Sequence, residues 1–210
     1  MNPCISAYCH IKNNRVYLNG KLVFSPQEEL NRQDFIKAAF RNTGTKYPKF
    51  FKMDDISKLG FLAAEVIMSA MDPTTINGQS TGIVLSNSQS TLVTDQQFQD
   101  TIQSDDNFFP SPSVFVYTLP NIMAGEIAIR HHFYGENAFF VSSSFDSDWQ
   151  SAYVNQLMES DKLTSCISGW VDMSNSQYEA FLYFVTSEKN GSQVPHTADR
   201  IKELYSELDK

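Results

Sequence analysis

The stretch "GENAFFVSSSFD" (Gly135–Asp146) sets the problem of this chain. It reads as a turn, a short apolar strand, three serines and the start of a new element. "NAFFVS" is rich in apolar and aromatic residues and is a strand by composition. Asp146 or Ser147 can cap the helix that the spacing of Trp149, Tyr153 and Leu157 predicts next. A strand that runs through small hydroxyl residues into a helix is a common seat for a nucleophile. On a strand, Ser142 and Ser144 share one side and Ser143 faces the other. A serine nucleophile needs a base, and usually a pair of oxyanion donors. Amides at the start of the following helix are the candidate donors. No histidine is placed beside the serines by spacing.

Outward from this stretch, strands alternate with helices. "VYLNGKLVF" (Val16–Phe24) reads as a strand, or as a hairpin turning at Asn19-Gly20. Ser25-Pro26 signals a helix running on through "QEELNRQDFIKAAF". "KYPKFFKM" reads as a packed basic, aromatic loop. Asp54 or Asp55 caps a helix whose Ile56, Leu59, Ala63, Val66, Ile67 and Ala70 form one apolar face, stopped at Asp72-Pro73. "TGIVLSN" (Thr81–Asn87) is apolar almost throughout and suits a strand buried on both faces. Leu92, Phe98 and Ile102 then fall at helical spacing. Pro120 opens another helix, with Ile122, Gly125, Ile129 and His132 on one side. Gly125 costs helix stability there and would be tolerated where something packs close to the backbone. "TSCISGWV" and "YEAFLYFVT" read as neighbouring strands. Thr197 caps a last helix with Ile201, Leu204, Tyr205 and Leu208 as its stripe. No repeat or linker interrupts the 210 residues, so one α/β domain over 1–210 is expected, a layered mixed sheet with helices on both faces.

Composition narrows the function. Sixteen phenylalanines in 210 residues make a packed core the expectation. A formal net charge of -8 disfavours nucleic-acid and anionic-membrane partners. No apolar run is long enough to span a bilayer, and the first residues do not read as a secretory signal. Cys4, Cys9 and Cys166 are odd in number and widely spaced, which points to reduced thiols and a cytoplasmic setting. Glycine-rich phosphate loops, paired-cysteine metal motifs and Gly-x-Ser-x-Gly elbows are absent, so no cofactor or metal is expected. His131 and His132 are adjacent and point apart on a helix; His10 and His196 are isolated in sequence.

The order of segments resembles the beta-ketoacyl synthases. "PNIMAGEIAIRHHFYGENAFFVSSSF" (Pro120–Phe145) is similar to the family stretch that runs from Pro-Asn through a small-residue helix to Gly-Pro-Asn, a strand and the catalytic cysteine. The residues that fit are Pro120-Asn121, Gly125, Ile127 to Arg130, Gly135 and Asn137. "MDDISKLGFLAAEVIMSA" looks like the family's first long helix. "STGIVLSNSQSTLVTDQQF" looks like its next strand and turn, and "LTSCISGWVDM" like the strand with an Ala-Gly-Gly-Val type ending. The resemblance spans Val16 to Met173.

It implies a thiolase-like fold, with this chain corresponding to the N-terminal half alone. It places Ser144 where the family has its cysteine, followed by Phe145 and Asp146 where the family prefers small residues. The half that bears the decarboxylation histidines has no counterpart here. The resemblance therefore implies a non-catalytic, truncated ketosynthase-like partner or scaffold in carrier-protein-dependent fatty-acid or polyketide-type biosynthesis, similar to those of aryl-polyene pigment clusters. It also implies a homodimer, or a heterodimer with a full-length ketosynthase, with acyl carrier protein as a further partner. Ala138, Phe139, Phe140 and Val141 are the expected dimer-interface strand. Two alternatives stand beside this reading. One is an acyltransferase or thioesterase using Ser144. The other is an acyl-ligand binder whose pocket is lined by Phe108, Phe109, Phe115 and Tyr117; Phe145 plugging the acyl cavity would instead favour the scaffold.

Overall fold

A computed structural model describes residues 3–104, 108–174, 176–187 and 194–207. Eight strands form one mixed sheet in the order β3-β2-β1-β7-β6-β4-β5, with the short β8 (Val194–Pro195) on the end of β1. The strands are β1 (Cys4–Lys12), β2 (Arg15–Leu18), β3 (Lys21–Phe24), β4 (Thr81–Asn87), β5 (Asn137–Val141), β6 (Ser165–Met173) and β7 (Tyr178–Thr186). β4 runs parallel to both β5 and β6; the other pairings are antiparallel. Asn19 (φ 51°) and Gly20 (φ 73°) make the expected β2–β3 turn. Asn13 and Asn14, also at positive φ, make a second tight turn between β1 and β2.

Helices cover both faces. α2 (Asp55–Met68) and α5 (Ile122–His131) lie on one, α6 (Ser147–Glu159) and α7 (Ala198–Ser206) on the other. β7 shows why two cores form. Ala180, Leu182 and Phe184 alternate into the α2 side, Phe181, Tyr183 and Val185 into the α6–α7 side. β4 divides in the same way, with Ile83 and Leu85 opposite Val84, and is buried throughout as its continuous apolar run requires.

Several expectations need correction. α1 spans Arg32–Asn42 with Asn31 as its cap, so Ser25-Pro26 does not start it. Asn31 wins because its side chain accepts from the Asp34 amide. "KYPKFFKM" is not wholly loop: Pro48–Lys52 make a 3-10 turn that buries Phe50. α2 has no solvent face, since every residue from Ile56 to Ile67 is buried between the sheet and a layer containing α1 and α5. It ends at Met68, and Ala70 is exposed beyond it. In α3 (Leu92–Asp100), which the short α4 (Pro112–Phe115) follows, Leu92 is exposed and Thr94 is the buried residue, its hydroxyl donating to Asp54 at 2.6 Å. Leu208 of the last stripe lies outside the described residues.

Gly125 is the most informative correction. Nothing in the described chain lies within 4 Å of where its Cβ would be. The close α2–α5 approach is at Gly60 instead, where a Cβ would sit 2.1 Å from the Met123 sulfur. Gly125→Ala should therefore raise stability by about 0.5–1 kcal/mol, the cost of glycine inside a helix. A chemical denaturation midpoint checks this, and a lower midpoint would show an unseen steric neighbour.

Buried ionisable groups set the acid response. Glu65 accepts from Arg130 (2.9 Å) and Thr45 (2.9 Å), and His131 stands 3.0 Å away. Burial opposes its charge, but these partners outweigh it and hold the carboxyl at about 2, below its usual 4.5. Burial pushes His196 down from 6.5 to about 4. Both groups bind protons more readily in the unfolded chain. Their stabilisation is full above the unfolded values and is lost as pH falls, from about 6.5 to 4 for His196 and from about 4.5 to 2 for Glu65. Each contributes at most about 3 kcal/mol. Urea titrations across this range should show the loss in two stages, and Glu65→Gln should flatten the lower one.

Candidate functional site

β5 is the outermost strand at one end of the sheet. Its ladder to β4 shows which of its groups remain free. The Ile83 amide donates to Glu136 O at 2.8 Å and the Ser142 amide to Asn87 O at 2.9 Å. With Ile83 opposite Asn137 and Leu85 opposite Phe139, the even-numbered residues of β5 bond to β4. The amides and carbonyls of Asn137, Phe139 and Val141 therefore point away from the sheet. Among the described residues no strand takes them.

The sheet's other margin, β3, is blunted. It is four residues long, carries Lys21, and its register slips by one residue against β2. Pro26 follows two residues after its end. These are the usual protections of an edge. β5 has no charge, no bulge and no proline, and Val141 is 56% exposed. Ala138, Phe139 and Phe140 are half-buried, Phe139 toward the α5 side and Phe140 against Trp149 (ring centroids 4.4 Å apart) and Tyr153.

The serine turn follows directly. Ser144 is exposed, and its backbone carbonyl accepts from the Ser142 hydroxyl at 2.8 Å. No histidine or carboxylate among the described residues hydrogen-bonds to the Ser144 hydroxyl. His131 and His132 end the helix that leads into β5, at the amino end of that strand. Five residues of strand separate the two ends, about 17 Å. His10 is buried on β1 and bonded to Glu179 at 2.8 Å, with β7 and β6 between it and β4. His196 is bonded to Asn155. The expected oxyanion donors are also compromised. Asp146 caps α6 and takes the Trp149 amide at 2.9 Å, so a carboxylate stands where an anion would have to bind.

Phe145 is half-buried among Tyr205 (4.8 Å), Phe181 (5.7 Å) and Trp170 (6.2 Å). α6 is fixed above it by the fully buried Gln150, whose Nε2 lies 2.8–3.0 Å from Val84 O, Ser168 Oγ and Gly169 O. The two large clefts, of about 870 and 400 Å³, are lined by polar residues such as Asn14, Glu28, Arg32 and Gln89, and neither includes Ser144 or Phe145.

The aromatic pocket expected of a binder is not formed. Phe108, Phe109 and Phe115 are exposed, while Tyr117 is buried and donates to Glu126. What sequence reasoning missed is the outward stripe of α5. Ile129 is 62% exposed and Gly125 open, while Met123, Ala124, Glu126 and Ile127 face inward. The expected alignment of Ile122, Gly125, Ile129 and His132 was the signal, but Ile122 packs against the core, so only the Ile129 and His132 end of that side is exposed.

No family model and no curated relative matches the chain. Solved structures do. The ishigamide ketosynthase/chain length factor matches with TM-score 0.66 and 14% identity over 93% of this chain and 64% of that chain. A beta-ketoacyl synthase from Burkholderia phymatum matches with TM-score 0.60 and 11% identity, covering 90% of this chain and 59% of that one. A ketosynthase in complex with its chain length factor from Xenorhabdus doucetiae matches with TM-score 0.58 and 12% identity, covering 99% of this chain and 92% of that one. The chain thus has the thiolase-like fold of the ketosynthases. It spans roughly 60% of the length of the first and second of these neighbours.

Proposed function

We propose that this chain is a non-catalytic ketosynthase-like subunit that pairs, through the edge of β5, with a second chain of the same fold. The carrying observation is the unprotected β5 edge, whose outward backbone groups no strand takes among the described residues; beside it lies Ser144, which the family resemblance puts at the nucleophile position and to which no described histidine or carboxylate hydrogen-bonds. A serine hydroxyl is a weak nucleophile near neutral pH without one. The reading is supported by the neighbours, which include a ketosynthase with its chain length factor and a type II acyl-carrier protein in complex with its ketosynthase. The pathway is carrier-protein-dependent assembly of a fatty-acid or polyketide-type chain, aryl-polyene pigments included. Acyl carrier protein meets the assembled pair, and catalysis belongs to the partner's cysteine. Co-expression with a cysteine-bearing ketosynthase of the same organism should yield a one-to-one complex by light scattering. A chain that stays monomeric beside every such ketosynthase would count against the proposal.

A further inference from the structure

We draw no further inference here: the strongest candidate, the polar cleft of about 400 Å³ at the carboxyl ends of β4 and β6 that Asp172 and Glu179 line, carries nothing, because Ser88 already donates to Asp172, His10, Lys12 and Tyr205 already hold Glu179, and no further feature among the described residues of the cleft points to a ligand.

Discussion

Gly169→Ala strongly destabilises the folded state. Gly169 lies in β6, between β7 and β4, at φ 146°, a conformation that side-chain-bearing residues rarely adopt. A Cβ there would stand 2.1 Å from Phe181 O and 2.9 Å from Leu182 Cα, and neither backbone atom can move without breaking the β6–β7 ladder. The Gly169 carbonyl also receives Gln150 from α6, so the strain reaches the turn that carries Ser144. The expected loss is about 4 kcal/mol or more, against a typical total of about 5–15 kcal/mol. Circular dichroism and solubility at matched expression read it out. Gly125→Ala is the internal control, the same substitution in open space, and should stabilise. A Gly169→Ala protein as stable as wild type would mean that β6 and β7 are not packed as described.

Val141→Pro removes pairing while sparing the monomer. The Val141 amide points to the free edge, so proline deletes a hydrogen bond only the partner would make. Its side chain is over half exposed, so little core is lost. The variant should keep the wild-type melting temperature as an isolated chain. Its affinity for a co-expressed ketosynthase should fall by about a hundredfold, the effect of one lost bond plus a proline ring held against the incoming strand. Unchanged affinity would remove β5 from the interface.

The mixed sheet, the doubly buried β4, the β6–β7 pair and the cap Thr197 were legible, and the caps Asp54 and Asp146 as one of two neighbours each, because each depends on local chemistry: an apolar run, a turn dipeptide, a side-chain oxygen before a helix. Burial of α2 on all sides was not. A helix read as having one apolar face leaves no reason to bury Lys58 and Glu65, and their partners Asp55, Arg130 and Thr45 emerge only from packing. Gly125 was legible as a glycine that needs an explanation, but whether the neighbour belongs to this chain is a tertiary fact. Similarly, sequence alternation assigns side chains to faces of β5, whereas which amides stay free depends on its register with β4. Ser144 was singled out by the order of motifs; that no histidine among the described residues bonds to it follows from where the fold sends His10, His131, His132 and His196.

The most direct test of the proposed non-catalytic role is the intact mass of this chain after incubation with acyl-loaded carrier proteins, alone and mixed with a co-expressed ketosynthase. No acyl adduct on this chain, identical spectra for Ser144→Ala, and acylation confined to the partner are predicted. An adduct on the wild type that disappears in Ser144→Ala would make Ser144 a nucleophile and contradict the account.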